Sequence, residues 1–190
     1  LTRTKLTKLK TIFSEMESFF HGKSSGLDPL NSFLSLPILI HSTSEIEPTG
    51  IPSQSQHGKA AVFLLDSGMT SETAPMVSIF MDNLETPAFR KMMKDEFIAI
   101  SDRCIEHFLT RNITALFADV KKLSSVVLHN FTPMIPKPFL SLWKNGLETN
   151  AYYLKLCGSG GGGYILGFTP DLPKAKALLA DHKLEVVYTF

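Results

Sequence analysis

The stretch Leu154-Lys155-Leu156-Cys157-Gly158-Ser159-Gly160-Gly161-Gly162-Gly163-Tyr164-Ile165-Leu166-Gly167-Phe168 places a glycine loop between two apolar segments. The loop, residues 158–163, contains five of the twelve glycines in the chain. Glycine tolerates φ > 0 and lets a backbone approach a ligand closely. Successive N–H groups in such a loop form a concave anion site that suits phosphate. Because both flanks are apolar and aromatic, we expect two buried strands joined by the loop, and not a flexible linker. A plain glycine-rich hairpin is the alternative to phosphate binding.

Length and composition indicate a chain that can form a hydrophobic core. Its 190 residues are 44% hydrophobic and 19% charged, which allows one or two domains. The net charge of +1 gives no electrostatic reason to expect a nucleic acid or a membrane surface as partner. No apolar run reaches the roughly 18 residues of a spanning helix. The basic start lacks the apolar stretch of a secretion signal. We therefore expect a cytoplasmic protein.

The two cysteines, Cys104 and Cys157, lie in apolar periodic segments. This favours buried thiols in a reducing compartment over a disulfide framework. No His/Cys spacing predicts a zinc site. Because the chain opens on Leu1 within a predicted helix, we expect that part of a longer protein is missing.

An amphipathic helix is predicted at the start of the chain, because apolar residues recur there at spacings of three and four. These residues are Leu6, Leu9, Phe13, Met16 and Phe20. Glu17 and His21 share a neighbouring face of this helix, and Gly22 is suited to end it. From this pattern alone, Glu17 is a solvated charge and His21 a cation near a helix C-terminus.

A second, short helix is predicted from the pair Asp28-Pro29. Aspartate before proline is typical of an N-cap followed by a first-turn proline. The helix would run through Phe33 and Leu36. This local role would by itself explain Asp28.

The rest of the chain alternates between predicted strands and helices. In order, the pattern predicts a strand at 37–40, a loop at 41–58, a buried strand at 59–65, a helix from about Thr73, further helices, the glycine hairpin, a helix at 170–182 and a strand at 184–190. This order suits an antiparallel sheet backed by helices on one face, which is an α+β sandwich.

The glycine stretch resembles the third motif of the GHMP kinases (galactokinase, homoserine, mevalonate and phosphomevalonate kinases), written K-L-T-G-A-G-G-G-G. Cys157 stands where threonine is common and Ser159 where alanine is common. Both changes are small and leave the backbone argument intact. No G-x-x-x-x-G-K-[ST] phosphate loop occurs in the chain.

A second stretch resembles the segment E-x-x-x-H-G-x-x-S-G-x-D of the mevalonate kinase branch of that family. The residues that match at the same spacing are Glu17, His21, Gly22, Ser25, Gly26 and Asp28. In the family the glutamate is a magnesium ligand and the aspartate is the catalytic base beside the substrate hydroxyl. Ser24 stands where proline is frequent and Pro29 where asparagine is frequent. We expect neither change to touch a group with a chemical role.

The resemblance implies a fold and a domain boundary. Residues 59–190 would form the ferredoxin-like C-terminal domain of a GHMP kinase, and residues 1–58 would be the tail of its N-terminal domain. The first half of such a kinase, with its catalytic lysine and its nucleotide phosphate loop, is not in this sequence. We therefore expect the chain to be inactive by itself.

The resemblance also implies an activity and a site. The activity would be ATP- and Mg²⁺-dependent transfer of the γ-phosphate to a hydroxyl of a small molecule, with mevalonate favoured over phosphomevalonate or a sugar. Asp28 would act as the base, Glu17 would hold Mg²⁺, and His21, Ser25, Gly26 and Thr73 would contact substrate. Near Thr73, Ser71-Glu72 replaces the Pro-Arg of many members. The loop residues near the phosphates or a substrate carboxylate would be Gly158, Ser159, Gly160, Gly161, Gly162 and Gly163.

Two expectations concern partners. Under the kinase hypothesis the partner is the small-molecule substrate, and a homodimer is kept open as the assembly. The competing hypothesis is a non-catalytic ferredoxin-like domain whose glycine hairpin captures an anion or a partner strand.

Overall fold

The computed structural model of the chain describes residues 3–21, 24–42, 45–70 and 72–190. The chain divides into a first unit, Leu1–Ile51, and a second unit, Pro52–Phe190. The assignment of residues 1–58 and 59–190 to two kinase domains stays a prediction. None of the helices in these described ranges is long and apolar enough to cross a membrane.

The first unit contains two helices and a two-stranded antiparallel sheet. The elements are α1 (Arg3–His21), α2 (Leu27–Leu34), β1 (Ile38–Ile40) and β2 (Ile46–Pro48). The predicted amphipathic helix and the strand at β1 are confirmed, whereas β2 lies in a stretch predicted to be a loop. The fully buried side chains of this unit are Leu6, Leu30 and Ile46. The prediction missed β2 because this strand has only three residues, which is too few to produce a period-two pattern. The residues around it are rich in serine, threonine and proline, which are typical of a loop.

The start of α2 differs from the predicted cap. The N-cap position is Gly26, with φ of +71°, and Asp28 is the second residue of the helix. The helix ends at Leu34, where Ser35 follows in the left-handed region, and so stops before Leu36. Asp28 therefore lies in the first turn without capping it.

The first unit leaves large apolar side chains exposed. Phe19 is 84% exposed and Phe20 is 75% exposed. Phe33 and Leu36 are also exposed. This unit therefore buries only part of the apolar surface of its described residues.

The second unit contains a four-stranded antiparallel sheet. Its strands are β3 (Ala61–Asp66), β4 (Tyr153–Leu156), β5 (Tyr164–Thr169) and β6 (Leu184–Thr189), in the spatial order β4-β5-β3-β6. β4 and β5 form the hairpin that carries the glycine loop. Each strand was expected from its apolar run. The chain order of strand, helices, strand, strand, helix, strand with this sheet order is the ferredoxin-like arrangement. The predicted α+β class is confirmed.

The helices of the second unit follow β3 and β5. They are α3 (Thr73–Leu84), α4 (Pro87–Met92), a π-helical segment (Met93–Ile98), α5 (Ala99–Leu109), α6 (Ile113–Asn130), a 3₁₀ turn (Thr132–Met134), α7 (Phe139–Thr149) and α8 (Leu172–Leu178). Phe63, Leu65 and Ile165 of the sheet pack with Trp143 of α7 in the main core.

A buried serine joins the helices to the edge strand β4. The Ser124 hydroxyl on α6 accepts the backbone N–H of Leu154 at 3.2 Å. The Ser124 carbonyl accepts the indole N–H of Trp143 at 3.0 Å. Because an edge strand exposes unpaired N–H groups, this contact satisfies one of them inside the protein and fixes β4 against α6.

The cysteines are both free thiols. Cys104 is buried and Cys157 is half-buried, so the expectation of buried thiols holds fully for Cys104. Burial, with a smaller contribution from Asp119, raises the pKa of Cys104 to about 11. Burial likewise raises the pKa of Cys157. Neither thiol is poised for nucleophilic chemistry, which requires the thiolate.

Candidate functional site

The turn between α1 and α2 is fixed by a close backbone contact. A Cβ added at Gly26 would lie 2.3 Å from the carbonyl oxygen of Lys10, and the φ of Gly26 is positive. Only glycine fits this position without strain. The Ser14 hydroxyl donates to the Ser24 carbonyl at 2.6 Å, and the Ser24 N–H donates to the Ser18 hydroxyl at 3.2 Å. These bonds hold the start of α2 against α1.

Glu17 takes part in the same network. The Ser24 hydroxyl donates to Glu17 Oε2, and it accepts the backbone N–H of Gly26 at 3.0 Å. The expectation that the residue at position 24 touches no group with a proposed chemical role is therefore wrong. A proline there would supply neither the hydroxyl nor the N–H. Ser24 orients the one carboxylate that the family resemblance assigns to magnesium.

Asp28 is exposed in the first turn of α2. A negative charge there is favoured by the helix dipole. Ser25 is also exposed, and its hydroxyl accepts the backbone N–H of Leu27 at 3.3 Å. His21 is the last residue of α1, and Gly22 lies outside the described residues. In the first unit, then, Glu17 is held by a neighbour while the Asp28 carboxylate faces solvent.

In the second unit, sheet register brings two loops to the same end of the sheet. β3 and β5 are antiparallel and Asp66 pairs with Tyr164, so the turn after β3 lies beside the glycine loop before β5. Two backbone bonds join them: Ser67 N–H donates to Gly163 O at 2.9 Å, and Gly163 N–H donates to Met69 O at 2.7 Å. This connection sets the start of α3 next to the glycine loop.

The glycine loop also docks on the 3₁₀ turn after α6. The N–H of Gly161 donates to the carbonyl oxygen of Met134 at 2.6 Å. Gly160 has φ of +78°, and a Cβ added to it would lie 2.6 Å from the same oxygen. The N–H of Gly160 donates to Cys157 O at 3.3 Å. The loop is therefore an ordered part of the second unit.

These contacts divide the loop amides into two sets. The N–H groups of Gly160, Gly161 and Gly163 are used within the protein. The N–H groups of Gly158, Ser159 and Gly162 have no hydrogen-bond partner among the described residues. Three loop amides are therefore available to a ligand, and not the whole run that the sequence suggested; of these residues, Gly158 and Ser159 line the cavity described next.

A cavity of about 400 Å³ opens beside the loop. Its polar lining residues are Thr73, Lys155, Gly158 and Ser159. The rest of the lining is apolar and includes the rings of Phe80, Phe97 and Phe131. The structure thus brings together one predicted substrate-contacting residue, Thr73, and two residues of the glycine loop. All of these residues belong to the second unit.

Lys155 was not selected as a site residue from the sequence. It is partly buried on β4, and its Nζ donates to the carbonyl oxygen of Leu156 at 3.2 Å. Burial lowers the pKa of its ammonium group. In the part of the chain that the structure describes, no carboxylate forms an ion pair with it. A lysine within an apolar strand was the available signal, because such a charge is rarely buried without a partner.

Acidic and histidine side chains are possible ligands for a metal ion. Within the described ranges, no three His, Cys, Asp or Glu residues lie close enough to hold a metal ion by themselves.

Comparison with known proteins gives a likeness of structure only. No protein-family model and no curated protein matches the chain. L. major mevalonate kinase in complex with R-mevalonate matches with a TM-score of 0.68 at 16% identity, over 100% of this chain and 59% of that one. A Lin0012 protein from Listeria innocua matches with a TM-score of 0.65 at 16% identity, over 98% of this chain and 62% of that one.

A third solved structure covers less of the chain. Streptococcus pneumoniae phosphomevalonate kinase in complex with phosphomevalonate and AMPPNP matches with a TM-score of 0.55 at 16% identity, over 75% of this chain and 43% of that one. The chain spans about three fifths or less of the length of these proteins. The likeness shows a shared fold. It agrees with the fold that the GHMP kinase resemblance implies.

Proposed function

We propose that the chain is part of a GHMP-type, ATP-dependent kinase that transfers the γ-phosphate to a hydroxyl of a small molecule, with mevalonate as the acceptor. One observation carries the proposal. The fold of the whole chain is similar to that of a mevalonate kinase complexed with R-mevalonate, and the chain holds two segments that resemble motifs of that family in the family's order. The enzyme would be cytoplasmic and would supply isoprenoid precursors.

In the first unit, Asp28 is the proposed base for the acceptor hydroxyl. Phosphoryl transfer depends mainly on positioning and on neutralising charge, so a carboxylate that orients the hydroxyl and takes its proton suffices. The exposed carboxylate in the first turn of α2 supports this role. Ser25, Gly26 and His21 would contact the acceptor.

In the second unit, Thr73 and the glycine loop are the proposed contacts for acceptor and phosphates. The free amides of Gly158, Ser159 and Gly162 support an anion-binding role. Gly160, Gly161 and Gly163 would act indirectly, since their own amides hold the loop in shape.

The residues present fit the two cofactors that this activity requires. Backbone amides are suitable donors to phosphate oxygens, and Mg²⁺ is usually bound through one or two carboxylates together with substrate phosphates. A single oriented carboxylate at Glu17 is therefore a sufficient protein ligand. When bound, ATP supplies the phosphoryl group and Mg²⁺ neutralises its charge.

A coupled ADP-release assay on the protein expressed from the complete open reading frame tests the proposal. Mevalonate, phosphomevalonate and galactose are offered separately with ATP and Mg²⁺. ADP release with mevalonate well above the other two supports the stated acceptor. Release with phosphomevalonate or galactose instead would keep the kinase and change the acceptor. Release with none would remove the proposed activity.

A non-catalytic anion-binding or partner-binding domain is the second candidate. The nearly apolar lining of the cavity favours it, because a kinase site is expected to carry many polar groups. An open reading frame that lacks both a Gly-Leu-Gly-Ser-Ser loop and a lysine upstream of this chain would support this alternative.

A further inference from the structure

The cavity beside the glycine loop has the size and lining of a small-molecule site. Its volume of about 400 Å³ lies within the roughly 300–1,000 Å³ of ligand pockets. Phenylalanine rings from α3, the π-helical segment and the end of α6 form its walls. Such a lining gains free energy by removing a hydrocarbon or aromatic group from water.

One side of the cavity carries positive and hydrogen-bond-donating groups. Lys155 lines it, as do Gly158 and Ser159, whose amides have no partner in the described parts of the chain. No lining residue is acidic. Among the described residues, the partly buried Lys155 ammonium donates to a neutral carbonyl and forms no ion pair with a carboxylate, so its charge is incompletely compensated. An anion beside it would offset the burial that depresses its pKa.

We propose that this cavity binds a small monoanion with an apolar body, such as an arylalkyl or alkyl carboxylate. Its carboxylate would be held by the Lys155 ammonium and the amides of Gly158 and Ser159, and its apolar body would lie among Phe80, Phe97 and Phe131. The apolar walls offer little to the polar edges of a nucleotide base or ribose. The proposal depends on the cavity and not on kinase activity.

A matched pair of ligands tests the charge requirement. The full chain is titrated by calorimetry, without ATP, with 4-phenylbutyrate and with 4-phenylbutan-1-ol, which share one apolar body. The carboxylate is expected to bind at least tenfold more tightly, because hydrogen bonds to charged groups are the stronger ones. Equal affinities would overturn the proposal.

Variants at three positions locate the binding. Lys155→Met is expected to reduce the affinity for 4-phenylbutyrate about tenfold or more and to leave that for the alcohol unchanged, while Lys155→Arg retains most of the preference. Val77→Trp on α3 fills the cavity and should abolish binding of both ligands. Met81→Trp is the control, since Met81 lies on the same helix with similar exposure and does not line the cavity.

Three outcomes of these experiments are distinguishable. If Val77→Trp and Met81→Trp bind alike, the ligand sits elsewhere, for instance on the exposed apolar side chains of α1, and the proposal is wrong. If Lys155→Met fails to fold by circular dichroism, the Val77 and Met81 pair still decides the location and the two wild-type affinities still decide the charge. If the chain binds the carboxylate in the cavity but the protein from the complete open reading frame releases no ADP, this proposal is retained and the kinase proposal is lost.

Discussion

The carbonyl oxygen of Met134 accepts the backbone N–H of Gly161 at 2.6 Å, and this bond docks the glycine loop on the 3₁₀ turn after α6. The preceding residue, Gly160, leaves no room for a side chain, since its Cβ would lie 2.6 Å from the same oxygen. This contact restrains the position of the loop, in contrast to a flexible linker.

Gly160→Ala is therefore expected to destabilise the second unit more than Gly158→Ala. Both glycines have positive φ, but a Cβ at Gly158 meets no atom within 4 Å. Gly158→Ala should lower the free energy of unfolding by about 1 kcal/mol, the left-handed penalty alone. Gly160→Ala adds the clash and should lower it by about 3 kcal/mol. Urea unfolding followed by the fluorescence of Trp143, the only tryptophan, measures both losses. Equal losses would show that the loop can move away from Met134 without a cost in stability.

Gly167→Ala is expected to disrupt the centre of the sheet. A Cβ at Gly167 would lie 2.2 Å from the ring of Phe63, which is fully buried and pairs with Gly167 across the two strands. The ring occupies the space of the absent side chain. We expect a loss of about 3 kcal/mol in unfolding free energy from overpacking.

A double-mutant cycle separates this clash from a strand-propensity effect. Phe63→Leu removes the ring, so Gly167→Ala should be better tolerated in that background, with a coupling of about 1 kcal/mol or more in urea unfolding. Additive losses would show that the two residues do not compete for space.

The sheet and the glycine loop were predictable because their signals are local. Each strand of the second unit is a run of apolar residues, and the loop is a cluster of glycines between two such runs. The amphipathic α1 follows from the spacing of its apolar residues, and a helix beginning near Thr73 follows from the cluster of hydroxyl residues before it. Strand order has no local signal: the ferredoxin-like form was expected only from the family resemblance, and the structure gives the order β4-β5-β3-β6.

The parts that were missed depend on contacts distant in sequence. Gly26, and not Asp28, occupies the cap position of α2, because the turn packs against the backbone of α1 at Lys10. The contact between Ser24 and Glu17 needs the folded turn. Likewise, Lys155 lines the cavity with Thr73 only because β3 and β5 pair in one register. No local sequence pattern predicts these long-range contacts.

Asp119 is expected to contribute stability that is lost in acid. It is 5% exposed on α6 and accepts Arg103 Nε of α5 at 3.0 Å and Lys122 Nζ at 3.2 Å. His107 Nε2 lies 3.5 Å away. The hydrogen bond from Arg103 holds the pKa of Asp119 below its usual range, although burial opposes this. A lowered pKa favours the folded state above the unfolded value of about 3.9.

Asp119→Asn should therefore lower the unfolding free energy at pH 7 by about 2–3 kcal/mol, since it removes the charge on which these groups converge. The gap from wild type should shrink as the pH falls below about 4. Urea titrations between pH 7 and pH 3 measure it. Lys122→Ala is the control: its side chain is 62% exposed, so the loss should stay below about 1 kcal/mol. A gap that does not change with pH would exclude the ionised carboxylate as its cause.

Asp28→Asn tests the proposed base in the full-length enzyme. If Asp28 takes the proton of the acceptor hydroxyl, turnover should fall by about 10²–10⁴, while the dissociation constant of ATP, measured by equilibrium binding, stays nearly unchanged. Ser25→Ala is a neighbouring control, because Ser25 is as exposed but has no proton-accepting charge; it should alter KM more than kcat. Near-normal kcat in Asp28→Asn would remove Asp28 from the mechanism.

Ser24→Ala tests whether the orientation of Glu17 matters for Mg²⁺. Under the kinase proposal, losing the Ser24 hydroxyl frees the Glu17 carboxylate to rotate, so the Mg²⁺ concentration for half-maximal turnover should rise about two- to tenfold, with kcat at saturating Mg²⁺ largely kept. Glu17→Gln removes the ligand itself and should raise that concentration further. Ser18→Ala is the matched control, because Ser18 belongs to the same serine network but has no bond to Glu17. If all three variants titrate with Mg²⁺ like the wild type, Glu17 is a surface charge and Ser24 serves only to fix the turn.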